Sequence, residues 1–62
     1  MNRQCIADYV DHEDDMVVYY YRLDEAEAHY RSFYGSEYAN RRPPVVRIST
    51  IRPGMYYIRY PK

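Results

Sequence analysis

Apolar positions along this chain fall into short runs of strand period, broken once by a stretch of helical period. Residues 5–10 form a β-prone run in which Asp8 shares a face with Ile6 and Val10; a solvent-facing Asp8 turns Cys5, Ala7 and Tyr9 toward the core. Five polar residues, Asp11, His12, Glu13, Asp14 and Asp15, interrupt the run, and residues 16–21 resume it with β-branched and aromatic side chains. Two such runs around a polar loop predict a β-hairpin.

Residues 23–27, Leu-Asp-Glu-Ala-Glu, open a helix. Asp24 is expected as its N-cap, with Glu27 at the third helical position as in a capping box and Leu23 and Ala28 at the staple positions. Ala26, Tyr30 and Phe33 recur at i, i+4 and i+7 and give one apolar face. Gly35 either ends the helix or sits inside one that continues to Tyr38 or Ala39, at a cost of about 1 kcal/mol. Pro43 and Pro44 remove two backbone donors and impose an extended connection. Residues 45–51 predict a third strand, with Val46 and Ile48 on one face and Val45, Arg47 and Ile51 on the other. Arg52-Pro53-Gly54 is a turn. Residues 55–60 predict a fourth strand, with Tyr56, Ile58 and Tyr60 on one face and Met55, Tyr57 and Arg59 on the other.

The order β–β–α–β–β predicts an α+β fold in one domain, residues 1–62: a single four-stranded antiparallel sheet with one helix on one face. Carrying the chain from the second strand through the helix places the third strand beside the first, in the order 2-1-3-4. The alternative order is 1-2-3-4, with a parallel pair at its middle. The expected core is Ala26, Tyr30, Phe33, Val46, Ile48 and Ile58. One helix covers one sheet face, so the other is wet or bound to a partner.

Composition adds two points. Ten of the 62 residues are tyrosine, a side chain favoured at interfaces because it is large, rigid and amphipathic. The net charge of zero hides a division, since residues 1–29 hold eight Asp/Glu against two Arg, and residues 30–62 hold one Glu against seven Lys/Arg. A chain this short buries only about 60% of its unfolded surface and has little core to give up to a substrate pocket, which disfavours an enzyme. A single cysteine, Cys5, excludes an internal disulfide and fits a reducing compartment. No stretch approaches the roughly 18 apolar residues of a membrane span, and no apolar run of signal-peptide length follows the N-terminus, so a cytoplasmic location without membrane contact is expected.

The candidate chemistry is mostly that of binding. The acidic run 11–15 lacks the alternating ligands and the glycine of a calcium loop and reads as a solvated hairpin tip. His12 and His29 lack zinc-site spacing to any Cys or Glu. Cys5 lacks the base and cleft of a thiol nucleophile and reads as a small strand hydrophobe. No cofactor, metal or catalytic residue is expected. Arg47, Arg52 and Arg59 lie among Tyr56, Tyr57 and Tyr60, with Arg41 and Arg42 in the preceding loop. Arginine beside aromatics suits a protein hot spot, and equally a single-stranded nucleic acid held by stacking and phosphate contact. The candidate partner-binding set is Arg47, Ile51, Arg52, Tyr57, Arg59, Arg41 and Arg42. The charge balance and the scarcity of lysine favour a protein partner.

Leu23-Asp24-Glu25-Ala26 opening a helix after a hairpin, followed by Val46-Arg47-Ile48-Ser49-Thr50-Ile51-Arg52-Pro53, resembles the T7-type phage inhibitors of host RNA polymerase over residues 16–53. In that family the helix start reads L-D-E-A, the third strand carries a V-x-x-V-R-P-like run, and third-strand arginines grip the polymerase. Arg52 stands at one such position, and Thr50 where a second arginine is expected. Val45-Val46-Arg47-Ile48-Ser49-Thr50 and the added fourth strand are similar to a small phage anti-CRISPR family with a V-x-R-I-x-T strand. The two resemblances imply a phage or mobile-element protein that binds and inhibits a host nucleic-acid machine. If the acidic loop is only a hairpin tip, chelator leaves the melting transition unchanged; a rise of several degrees on adding calcium, magnesium or zinc would overturn that reading.

Overall fold

A computed structural model describes residues 6–62; the expectation for Cys5 lies outside them. The hairpin forms as expected from β1 (Asp8–Asp11) and β2 (Asp15–Tyr20), and the His12 N–H donates to the Asp15 carbonyl across its loop at 2.8 Å. Two helices follow, α1 (Leu23–Tyr34) and α2 (Ser36–Arg41), then β3 (Arg47–Ile48) and β4 (Tyr56–Pro61). The α+β class and the single antiparallel four-stranded sheet match the sequence expectation.

The strand order does not. It is β1-β2-β4-β3, neither 2-1-3-4 nor 1-2-3-4. β4 lies antiparallel to β2 along its whole length, from Asp15 opposite Pro61 to Tyr20 opposite Tyr56, and β3 flanks β4 through Arg47 opposite Tyr57 and Ile48 opposite Tyr56. β2 and β3 are therefore parallel, with β4 inserted between them, a split β-α-β unit. The reason lies in which strands tolerate an edge. β2 and β4 carry large side chains on both faces and gain most from the centre. β1 begins and ends with aspartate. Pro43 and Pro44, ahead of β3, donate no ladder hydrogen bonds, which keeps that segment at an edge.

β3 is also shorter than the expected 45–51. Past Ile48, the Ser49 N–H still donates to the Met55 carbonyl (2.9 Å), and the Ser49 hydroxyl then accepts the Arg52 N–H (2.9 Å), closing a turn. Ile51 is thus a loop residue.

The helical region corrects two further expectations. Asp24 is not the N-cap: α1 begins one residue earlier, Arg22 takes the cap position without a side-chain cap bond, and the Asp24 carboxylate accepts two hydrogen bonds from the Arg22 guanidinium at 3.0 and 3.1 Å. Nor is there one helix. Gly35, at φ +98°, breaks the axis, a backbone conformation that L side chains rarely adopt. The Gly35 N–H donates to Arg31 and its carbonyl accepts from Ala39, so hydrogen bonding runs through the break. The Tyr30 hydroxyl then donates to the Arg42 carbonyl at 2.6 Å and ties the end of α2 back to α1.

The core lies between α1 and the two central strands. Val18, Tyr20, Ala26, Tyr30, Ala39, Ile58 and Tyr60 are buried, with Met16, Tyr34 and Val46 packed around them. Ala26, Tyr30 and Ile58 match the expected core, and Val46 joins it in part. Ile48 and Phe33 do not. Ile48 is on the helix side of the sheet but 73% exposed, because α1 packs on β2 and β4 and does not reach β3. Tyr9 on β1 is 58% exposed for the same reason at the other edge. Phe33 is 56% exposed, touching Tyr60 with one edge at 5.1 Å between centroids. Tyr60 takes the place the sequence analysis gave to Phe33. Tyr60→Ala is expected to cost about 3–5 kcal/mol and leave the protein largely unfolded, whereas Phe33→Ala costs less than half as much. Urea denaturation of the two variants checks this ranking, and equal losses would overturn it.

Candidate partner-binding surface

The candidate residues divide between two adjoining surfaces. Strand alternation directs Val18, Tyr20, Ile58 and Tyr60 to the helices and Val17, Tyr19, Tyr57 and Arg59 to the opposite face. Arg47, opposite Tyr57, joins that open face from β3. The expected assignment of Arg47, Tyr57 and Arg59 to the uncovered side therefore matches the register. Ile51 is 77% exposed in the β3–β4 connection, and Arg52 folds back from that connection over the sheet. Arg41 ends α2 and Arg42 follows it.

The open face is less bare than one uncovered layer implies. Val17 and Tyr19 are buried, although no helix lies over them. The Arg52 guanidinium sits 4.3 Å from the Tyr19 ring centroid in a cation–π contact, and the Tyr57 ring lies 6.0 Å away. Arg52 also pairs with Asp8 on β1, and Arg59 pairs with Asp15 on β2 at 2.8 Å. Lys62 reaches Asp11. Three aspartates of the acidic half thus pair with three cations of the basic half across the sheet. The Asp8 carboxyl is held below its ordinary value, first by the hydrogen bond from Arg52 and then by the Tyr9 backbone N–H. Asp15, expected in the hairpin tip, is the first residue of β2 and belongs to this pairing.

Four arginines among the described residues have no ion pair. Arg31 bonds the Asn40 amide oxygen at 3.2 Å. Arg41, Arg42 and Arg47 border two depressions that share Tyr38 in their walls. One, about 400 Å³, is lined by Tyr38, Arg41 and Arg42. The other, also about 400 Å³, runs between the 43–47 segment and β4 under Tyr34 and Tyr38, with Arg47 and Arg59 on its margin. The spacing of Arg41 and Arg42 from Arg47 in sequence gave no sign that α2 would set them in neighbouring depressions that share Tyr38.

Sequence reasoning missed one cluster altogether. The Tyr20 hydroxyl lies 2.7 Å from the Tyr60 hydroxyl and 2.6 Å from His29 Nδ1, and the Tyr60 hydroxyl is 3.0 Å from the same nitrogen. A neutral imidazole protonated on Nε2 leaves Nδ1 as the acceptor for a tyrosyl proton. The signal was available: His29 lies at i+3 from Ala26 and i−4 from Phe33, on the apolar face of α1. Its role here is to satisfy buried hydroxyls. Among the described residues, no group of three His, Cys, Asp or Glu is placed to hold a metal ion, and no helix is long and apolar enough to cross a membrane.

Comparison of the chain with known protein families, curated proteins and solved structures finds no match.

Burial lowers the pKa of His29 and raises that of Tyr60 to about 12. The folded state thus disfavours charge on both groups. For His29, the unfolded chain binds more protons, so stability falls as pH drops through the ordinary histidine range, from about 7 toward 5. For Tyr60, stability falls as pH rises from about 10 toward 12. Urea denaturation across pH is expected to show both declines, with His29→Phe removing the acid-side one; an unchanged acid limb in that variant would show that His29 is not its source.

Proposed function

We propose that this chain is a non-catalytic binding module that engages a protein partner through its Tyr/Arg surface. Its role is that of a phage or mobile-element inhibitor of a host nucleic-acid machine, RNA polymerase or a CRISPR surveillance complex, acting in the host cytoplasm. The observation that carries the binding reading is the pairing of Tyr57 with Arg47 on the open face, both lining a groove that shares Tyr38 with the depression bordered by Arg41 and Arg42. A partly buried aromatic beside arginines without internal partners is the composition of an interface hot spot. The inhibitor role rests on the two resemblances in the sequence.

Direct binding of single-stranded nucleic acid is the weaker reading. It needs free aromatic faces beside unpaired arginines. Here Tyr19 is covered by Arg52, Tyr34 stacks against both Tyr38 and Tyr60, and Arg52 and Arg59 are already engaged by aspartates.

Pulldown from host lysate, read by mass spectrometry, identifies the partner. Tyr57→Ala and Arg47→Ala are each expected to weaken its binding by about 1–2 kcal/mol while leaving the fold intact. Charge reversal at Glu13 and Asp14 has less effect. Loss of binding on the loop reversal, with both open-face variants unimpaired, would move the interface to the acidic hairpin. Micromolar binding of free oligonucleotide at physiological salt, lost on Arg47→Ala, would establish the nucleic-acid reading instead.

A further inference from the structure

β3 ends before β4 does. It pairs with Tyr56 and Tyr57 only, so residues 58–61 of β4 have β2 on one side and no strand on the other. The direction of the backbone groups follows from the bonds at the two ends of the strand. The Met55 carbonyl accepts from Ser49 on the β3 side, and the Lys62 N–H donates to Asp14 on the β2 side. Alternation then turns the N–H and C=O of Arg59, and the C=O of Pro61, to the unpaired side. Val45 would continue the β3 pairing opposite Arg59, but β3 begins only at Arg47 and no backbone hydrogen bond joins Val45 to Arg59. The space left between the 43–47 segment and β4 is the groove of about 400 Å³ already described. Its walls are Tyr34, Tyr38, Val45 and Pro43, so the floor is a strand edge and the sides are apolar.

We infer that this groove takes an extended acidic segment of a partner protein as an added strand on β4. The inference rests on the reading of the chain as a protein-binding module and names the part of the partner that one of its surfaces receives. The charge around the groove selects the occupant. Arg47 lines the groove, and Arg41 and Arg42 line the depression that shares Tyr38 with it; none of the three has an ion pair among the described residues, whereas Arg22, Arg52, Arg59 and Lys62 each have one. An added strand satisfies the outward groups of Arg59, its apolar side chains meet Tyr34 and Tyr38 on the helix side, and its carboxylates face Arg47 on the open side, with Arg41 and Arg42 beside Tyr38 at the end of the groove; backbone pairing supplies affinity and the side-chain pattern supplies specificity. The same edge of a second copy would bring like charges together. Its β1 edge has Asp8 and Asp11 already paired with Arg52 and Lys62. A nucleic acid would meet the arginines but leave the strand edge unused.

The probe is a synthetic octapeptide of alternating Glu and Val with blocked ends, titrated into the isotopically labelled full chain. Expected results are micromolar to millimolar binding, new hydrogen-exchange protection at the Arg59 amide, and a loss of roughly tenfold or more in the Arg41→Ala/Arg42→Ala double variant. A Lys/Val peptide does not bind. Methylating the peptide amides at alternate positions is the decisive arm: one set of methylations abolishes binding and the complementary set does not, because only one set faces β4. Equal effects of the two sets, or binding without protection at Arg59, would overturn strand addition. So would Arg59 protection that grows with protein concentration alone, which assigns the edge to a second copy, or an oligonucleotide that displaces the peptide and binds more tightly. The inference and the functional reading fail separately. A chain that ignores the peptide yet captures its host partner in a Tyr57-dependent way refutes the edge site alone. A chain that adds the peptide as described, while its partner binding is indifferent to Tyr57→Ala and Arg47→Ala, refutes the open-face reading alone.

Discussion

Everything in this fold depends on the burial of Tyr60. It lies on the central strand β4, under α1, with its ring against Phe33 and Tyr34 and its hydroxyl against Tyr20 and His29. A chain of 62 residues has few large aliphatic side chains to fill a core. This one fills it with tyrosine, which brings as much apolar area as phenylalanine and a hydroxyl that must find a partner once water is excluded. The Tyr20–Tyr60–His29 cluster meets that requirement in one place. Because two strands and the helix each supply one of its members, it also fixes how they dock. Tyr34 and Tyr38 extend the stack to α2.

The second constraint is electrostatic. Acid and base, divided end from end in sequence, meet on neighbouring strands when β4 inserts beside β2. Exposed pairs of this kind each contribute little to stability. Their larger consequence is for the surface, because they remove Arg52, Arg59 and Lys62 from the free cations. Of the described cations left without an ion pair, Arg41, Arg42 and Arg47 line two depressions that share Tyr38. A protein with no net charge thereby acquires a locally basic surface beside the unpaired end of β4.

The fold also changes the meaning of the tyrosine content. Counted in the sequence, ten tyrosines describe an adhesive surface. In the fold, Tyr19, Tyr20, Tyr30 and Tyr60 are buried, and Tyr34 serves the stack. Tyr57 is partly exposed on the open face and stands opposite Arg47, an arginine with no ion pair among the described residues, whereas Tyr19 on the same face is buried under Arg52.

The sequence alone determined the class of the fold, the hairpin and the facing of each β4 side chain, because these follow from period-two alternation and from backbone preferences local to a few residues; it left Gly35 open between a helix end and a helix interior. It also placed Arg47, Tyr57 and Arg59 together on one face, since register parity is a local property. Tertiary structure decided the strand order, since a strand's neighbour depends on which pairs bury most side-chain area and on where Pro43 and Pro44 forbid pairing. It decided that Phe33 and Ile48 lie at the margin and Tyr60 at the centre, because amphipathic period marks a direction and not the extent of the element that covers it. It decided that Asp24 bonds Arg22 and not the helix backbone, a competition among near-equal local partners. Only in the folded chain does the cancellation of charge become visible, because ion pairing spans 44 residues between Asp8 and Arg52, and 44 between Asp15 and Arg59. No periodicity carries information over that distance.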